Sequence, residues 1–297
     1  MDKRTNQNMQ EPLLVIVGET ASGKSALALD VATKFQGELI CADSWTVYKE
    51  FDIGTAKPTA TDRLKVPHHL LDVADPRDGF SAAVFQRMAK KVIIDITNRG
   101  KLPILVGGTG LYIDGILYDY GFLPPSLPGL REALNGMSID ELLGRANSLG
   151  LDLDGIDIRN KRRVIRLIEN DGARPTRQTI RGNTLILGLQ LDREIIKERI
   201  AKRIDTMINL GLEQEVKRLA ARYSWDVEPM KGIGYREWKE YFEGTQSVAE
   251  TRDRILKASN DLAKRQRTWF KRNPSIQWVH DRSNAIDILT TFLNKTN

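Results

Sequence analysis

Short apolar runs alternate with longer stretches of helical spacing along the first third of the chain. Leu13 to Val17, Glu38 to Ala42 and Leu102 to Val106 are strand-length runs with little polar alternation, the pattern of strands buried on both faces. Between them, Ser25 to Lys34 has helical apolar spacing. A second helix carries Val84, Phe85, Met88, Val92 and Ile96, with Ser81 placed to cap it and Gly100 to end it. Strands that alternate with helices predict an α/β fold, a parallel sheet covered by helices on both sides. Such sheets bind ligands beyond the carboxyl ends of their strands.

The pattern breaks at Phe122-Leu123-Pro124-Pro125-Ser126-Leu127-Pro128, a proline cluster that reads as a domain boundary. Short helical segments follow: Ser138 with Glu141 makes a capping-box signature, and Asp157 to Asp171 reads as a basic helix stopped by Gly172. Strand character returns over Thr184 to Leu191. Asp192 is then placed to cap a helix bearing Ile196, Ile200 and Ile204, and a last long helix is marked by Val248, Ile255, Leu262 and Trp269. The expected organisation is a core in two parts, 1–122 and 184–297, interrupted by a small helical insertion domain at 123–183.

Composition narrows the class. With 297 residues and 41% apolar content the chain can build a substantial core. Lys and Arg total 45 against 39 Asp and Glu, a net charge of +6, which suits a polyanionic partner. Cys41 is the single cysteine, so an internal disulfide framework and a cysteine-rich zinc site are excluded and a reducing, cytoplasmic setting is expected. No apolar run reaches membrane-spanning length, and the polar Met1 to Gln10 reads as a frayed tail.

The strongest chemical signal is Gly18-Glu19-Thr20-Ala21-Ser22-Gly23-Lys24-Ser25, a complete phosphate-loop pattern between a strand and a helix. Its glycines let backbone N–H groups surround an anion, Lys24 supplies an ammonium, and Ser25 a hydroxyl for Mg²⁺. The fold class is therefore P-loop NTPase-like. Asp43-Ser44 follows the second strand, which points a carboxylate toward the same crevice; it suits a general base, a Mg²⁺ partner or a turn cap. Gly107-Gly108-Thr109 allows close backbone approach to a ligand or merely a turn. Arg199 and Arg203 lie four apart, near an apolar stripe, and can aim at a diphosphate or at solvent. Two basic clusters stand out: Arg159, Lys161, Arg162, Arg163 and Arg166, and Lys264, Arg265, Arg267, Lys271 and Arg272 around Trp269 and Phe270. Base stacking with phosphate neutralisation and a solvated helix face both fit them. His68 and His69 lack partners in metal-ligand spacing and read as core or turn residues. Asn160-Lys161-Arg162-Arg163 lacks the Asp of a guanine-reading motif.

These segments, in this order, resemble the tRNA dimethylallyltransferase (tRNA isopentenyltransferase) family from about Leu13 to Val279. The matching stretches are the phosphate loop, Asp43-Ser44-Trp45-Thr46-Val47-Tyr48, Asp52-Ile53-Gly54-Thr55-Ala56-Lys57-Pro58, Pro67-His68-His69-Leu70, Val106-Gly107-Gly108-Thr109, Gly232-Ile233-Gly234-Tyr235-Arg236-Glu237 and Lys264-Arg265-Gln266-Arg267-Thr268-Trp269-Phe270. The family usually has proline where Glu19 stands, and a small or Met residue followed by Gln or Leu where Trp45-Thr46 stands. The resemblance implies transfer of a dimethylallyl group from its diphosphate to N6 of the adenine beside the anticodon, with Mg²⁺ as cofactor. It implies a general base at Asp43, a contact to the target region at Thr109, and a diphosphate arginine at Arg203 rather than Arg199. Gly18, Glu19, Thr20, Ala21, Ser22, Gly23, Lys24 and Ser25 would bind the diphosphate. Contacts to the tRNA anticodon stem-loop would come from Asp43, Ser44, Trp45, Thr46, Thr109, Arg131, Arg162, Arg163, Arg166, Lys231, Tyr235, Arg236, Lys264, Arg265, Gln266 and Trp269. A cytoplasmic monomer of bacterial type is expected. The competing readings are a phosphate-loop kinase of small metabolites and an RNA-binding regulatory NTPase that transfers nothing.

Overall fold

The computed structural model describes residues 11–124, 127 and 129–296. The tail up to Gln10 and part of the proline cluster, Pro125, Ser126 and Pro128, lie outside the described residues. The chain forms two compact units: the described residues up to Leu117 together with those from Arg181 onward, and Tyr118–Ile180.

The larger unit is built on strands β1 (Leu13–Gly18), β2 (Gly37–Ala42), β3 (His68–His69), β4 (Leu102–Gly107), β5 (Thr184–Leu189) and β6 (Ile276–Val279), all parallel in the order β3-β2-β4-β1-β5-β6. In chain order the helices are α1 (Lys24–Lys34), α2 (Ala60–Lys65), α3 (Ala82–Asn98) and α4 (Gly110–Leu117), then α5 (Leu130–Gly136), α6 (Ile139–Ser148) and α7 (Lys161–Glu169) in the smaller unit. Those that follow, α8 (Arg193–Asn209), α9 (Leu212–Tyr223), α10 (Lys239–Phe242), α11 (Val248–Phe270) and α12 (Arg282–Thr296), return to the larger one.

The three apolar runs form central strands because every residue of β1, β2 and β4 is buried. One sheet face, with Leu14, Ile16, Leu39, Ile104 and Leu187, packs on Leu27, Ala28 and Val31 of α1 and on Ala285 and Leu289 of α12. A second core joins α8, α9 and α11 to the segment after β2 through Tyr48, Phe51, Ile200, Val216, Tyr235 and Trp238. Burial of this order, at about 25 cal/mol per Å² of apolar surface, is the main stabilising force.

Several expectations shift by a residue or more. Ser81 caps α3, accepting from the Val84 N–H. The most buried stripe there is Phe85, Gln86, Ala89, Ile93 and Ile96, so Val84, Met88 and Val92 are only half-buried. Asp192 occupies the N-cap of α8 without a side-chain capping bond. In α11 the buried positions are Thr251, Ile255, Ala263, Gln266 and Phe270, and Val248 is exposed. The seven-residue spacing followed one edge of the stripe. α11 is not the last helix, since β6 and α12 follow it. The basic helix is shorter than expected, Lys161–Glu169, and Arg159 precedes it.

The smaller unit has its own core of Leu134, Leu142, Ala146, Val164, Ile165 and Ile168, with the Ser138–Glu141 capping box in place. It begins upstream of the proline cluster because its entering and leaving segments pair: Gly121 bridges Thr176, and the Gln178 N–H donates to the Tyr118 carbonyl at 2.8 Å. Its boundaries are thus 118 and 180, against the expected 123 and 183.

β3 was not expected. It forms because His69 at the sheet edge bonds through Nε2 to Glu38 Oε2 at 2.7 Å, while Arg99 at the end of α3 reaches both Glu38 oxygens. The histidines are thus structural. Glu38 is 5% exposed. The Arg99 hydrogen bonds, aided by His69 and opposed by burial, hold its carboxyl at about 2 against an ordinary 4.5. The stabilisation is complete above pH 4.5 and is lost as pH falls toward 2. Such a shift is worth about 3 kcal/mol at most. Urea unfolding from pH 5 to pH 2 should therefore show Glu38→Gln less stable than wild type at the upper end (on the order of 2–3 kcal/mol), with the gap closing toward the lower end; a gap that stays constant would mean the ion pair does not drive the acid sensitivity.

Candidate active site at the phosphate loop

β1 delivers the chain to Gly18, and residues 19–23 fold into a loop in which Ala21 (φ 62°) and Gly23 (φ 97°) take left-handed conformations. The Ser22 N–H closes the loop on the Glu19 carbonyl at 3.2 Å, and the positive end of the 11-residue α1, beginning at Lys24, favours an anion at the loop's end. Gly18 is required by space: a Cβ there would sit 2.8 Å from Ser22 Oγ and 3.2 Å from the Leu189 carbonyl oxygen.

Three cations surround this loop. The Lys24 ammonium donates to the Glu19 carbonyl oxygen at 3.3 Å. Arg203 Nη1 donates to Thr20 Oγ1 at 3.2 Å and Arg199 Nη1 to the Ser22 carbonyl oxygen at 3.4 Å. Both arginines reach the loop because Ile196, Ile200 and Ile204 bury the adjacent stripe of α8. The family resemblance implies Arg203 rather than Arg199; the structure brings both to the loop, with Arg199 the more exposed. Burial pushes Lys24 down to about 8, the charge of Arg203 pushes the same way, and Asp43 opposes them. Burial also lowers Arg203, again opposed by Asp43. Lys24, Asp43 and Arg203 are each half-buried, and their charges share one site.

Asp43 follows β2 and is half-buried. Its Oδ1 accepts from the Trp45 N–H at 2.9 Å, so the turn-capping reading is correct for one oxygen. Thr109 follows β4 and stitches the two strand ends together: its Oγ1 accepts from the Ser44 N–H at 3.0 Å, and its N–H donates to the Ala42 carbonyl at 3.2 Å. β2 and β4 approach so closely here that a Cβ on Gly107 would lie 2.0 Å from the Ala42 oxygen.

α11 closes the far side. Gln266 Oε1 accepts from the Thr20 N–H at 2.7 Å, and its Nε2 donates to the Gly108 carbonyl at 3.1 Å. Arg267 pairs with Glu19. Trp269 donates through Nε1 to Asp114 at 3.0 Å and packs over Gly110. Lys264 and Arg265 of the same helix are exposed.

The expected RNA-contacting residues divide accordingly. Asp43, Ser44, Trp45 and Thr109 lie at the strand ends beside the loop, and Lys231, Arg236, Arg162 and Arg163 are exposed. Thr46 is 6% exposed, Gln266 is 9% exposed and braces the loop, and Tyr235 is 1% exposed with its hydroxyl on Glu215 at 2.8 Å. Tyr235 is a core residue because its ring packs on Phe51 and fills the space over Gly54. Arg131 and Arg166 both pair with Glu169, whose side chain is fully buried, so they brace the helical unit.

Glu215 was missed. It accepts from the N–H groups of Asp52, Ile53 and Gly54 and from Tyr235, anchoring the segment after β2 to the 232–237 turn. A carboxylate falling on the apolar face between Leu212 and Leu219 was the signal available for it.

Among the described residues no group of three or more His, Cys, Asp or Glu forms a metal cluster, and Ser25 is exposed at the loop's helix end. A single hydroxyl fits Mg²⁺, which takes its remaining ligands from phosphate and water.

The IPP transferase family model matches residues 46–273. The chain belongs to this family. It is 40% identical over 281 residues to the tRNA dimethylallyltransferase of Anoxybacillus flavithermus, spanning 91% of this chain and 90% of that one. To the Bacillus subtilis tRNA dimethylallyltransferase it is 37% identical over 299 residues, spanning 95% and 94%. The full-length tRNA isopentenylpyrophosphate transferase of Bacillus halodurans shares the fold at a TM-score of 0.75 and 34% identity, covering 97% of each chain. A eukaryotic dimethylallyltransferase, solved acting on tRNA, gives a TM-score of 0.78 at 25% identity over 96% of this chain and 80% of that one. The P-loop NTPase-like α/β fold is the fold of the IPP transferases, and no helix among the described residues is long and apolar enough to cross a membrane.

A lysine titrating near 8 makes anion binding pH-dependent. Affinity for inorganic pyrophosphate should fall in wild type, relative to Lys24→Arg, as pH rises through about 8. The ratio of the two affinities cancels the ligand's own titration, and a ratio flat from pH 7 to pH 9.5 would place Lys24 outside the anion site.

Proposed function

We propose that this IPP transferase moves a dimethylallyl group from dimethylallyl diphosphate to N6 of the adenosine beside the anticodon of tRNA. The supporting observation is the electrostatic cluster beside the carboxyl ends of β1 and β2: the charges of Arg203 and Asp43 both act on Lys24, and that of Asp43 acts on Arg203. A cationic pocket for a diphosphate and a carboxylate for a proton are the two things this reaction needs.

An adenine amine is a weak nucleophile because its lone pair is delocalised into the ring. The N6 lone pair forms a bond to the allylic carbon, the carbon–oxygen bond to diphosphate breaks, and that electron pair leaves on the diphosphate. One N6 proton passes to Asp43, whose second oxygen is not committed to the turn. Negative charge grows on the leaving oxygens, where Lys24, Arg203, Arg199 and the loop N–H groups stabilise it. Ser25 would hold Mg²⁺, which when bound supplies further charge neutralisation to the diphosphate. Thr109 fixes the Ser44 backbone and with it the carboxylate. The adenine must leave its stack to reach Asp43, at a cost of a few kcal/mol that is smallest in a single-stranded loop. The exposed Lys264, Arg265, Arg162 and Arg163 supply phosphate contacts that position the RNA without reading it. One chain carries Lys24, Asp43, Thr109 and Arg203, so a monomer suffices for the chemistry, and the single cysteine suits the cytoplasm.

Neither a metabolite kinase nor a non-catalytic RNA-binding NTPase gains support from the family match. The test is mass spectrometry of tRNA nucleosides after incubation with the protein, Mg²⁺ and dimethylallyl diphosphate. One added isoprenyl unit on adenosine is expected. An unmodified adenosine together with tRNA-stimulated ATP hydrolysis would reverse the reading in favour of the NTPase.

A further inference from the structure

The phosphate loop contains a carboxylate where the family resemblance leads to proline. Glu19 is 6% exposed. Its two oxygens accept from Nε and Nη2 of Arg267 at 2.6 Å each, a bidentate geometry. The Glu19 backbone carbonyl accepts from the Lys24 ammonium. The carboxylate therefore belongs to the same loop residue whose backbone touches the loop's central cation. Unpaired in a partly dry site, it would oppose an anion at the loop strongly.

Arg267 arrives from a fixed direction. Its neighbour Gln266 is bonded to the Thr20 N–H on one side and to the Gly108 carbonyl on the other, and Phe270, one turn on, is 2% exposed. The helix turn that carries the guanidinium is thus held in place, and the bidentate pair holds the side chain on Glu19. On its outer side the pair borders a cavity of about 620 Å³ lined also by Arg193, Lys271 and Trp278, so mobile ions reach its edge.

We propose that Arg267 is a charge-compensating positioning residue for the diphosphate: it cancels Glu19, so the loop keeps the net positive field set by Lys24 and the two arginines of α8. This rests on the reading of the loop as a diphosphate site. The pair then has a sign that a mere strut lacks. Removing the cation leaves a bare carboxylate by the loop; removing the carboxylate frees a cation there; removing both restores neutrality.

Calorimetric titration of the full chain with inorganic pyrophosphate tests this in wild type, R267M, E19Q, the double variant and R267K. R267M should bind roughly tenfold more weakly and E19Q a few-fold more tightly, with the double variant within about threefold of wild type. R267K should recover most of the loss, and the R267M deficit should shrink as salt rises. If both single variants bind more weakly, or if the losses add in the double variant, the pair is a strut and the inference falls. Should R267M fail to fold, E19Q decides: tighter binding supports the inference and weaker binding overturns it. Wild type that binds no pyrophosphate removes the diphosphate reading itself, and this inference with it, an outcome separate from a wrong-signed cycle on a protein that binds.

Discussion

The parallel register of β1, β4 and β2 is the constraint on which the rest of the molecule depends. Val17 is opposite Gly107, and Gly107 opposite Ala42, so three strands end at one level and release the phosphate loop, Thr109 and Asp43 side by side. The close approach that makes this possible has no room for a side chain at Gly107. Because the strands are buried on both faces, a one-residue slip would exchange the side chains packed against the two helical layers and misplace all three groups together. Hydrophobic burial thereby fixes the chemistry to within the tolerance of a hydrogen bond.

Charge is then arranged on that frame against the ordinary preference for solvation. Lys24 and Arg203 are both shifted toward their neutral forms by burial. They remain useful because Asp43 opposes the shift and because an arriving diphosphate would oppose it further. The same helix that presents Lys264 and Arg265 to solvent turns Gln266 and Arg267 inward to hold the loop, so the surface suited to RNA and the wall of the anion site are opposite sides of one turn of α11.

Much of this was legible in the sequence, for definite reasons. Buried strands, the phosphate loop and the Ser81 and Ser138 caps depend on local pattern, and local pattern survives folding. Features set by distant pairing were not legible. β3 exists because Glu38 meets His69 and Arg99. The basic residues Arg131 and Arg166 look like free phosphate ligands until Glu169 is seen to bind both. Tyr235 sits in a motif that matches an RNA-contacting family, yet its burial follows from Glu215, a residue 20 positions away. The spacing of α11 misled by one edge because polar Thr251 and Gln266 occupy its buried stripe. Those two positions carry hydrogen bonds that no hydrophobic pattern records.

The central claim is that the carboxylate at the end of β2 removes the proton while the loop cations take the leaving group. The most direct measurement is the single-turnover rate of Asp43→Asn at saturating tRNA and dimethylallyl diphosphate, with tRNA affinity measured on the same preparation. The account predicts a rate lower by about 10²–10⁴ with affinity changed no more than a few-fold, as expected when a general base is lost and phosphate contacts are kept. A rate near that of wild type, with tRNA bound as before, would contradict it.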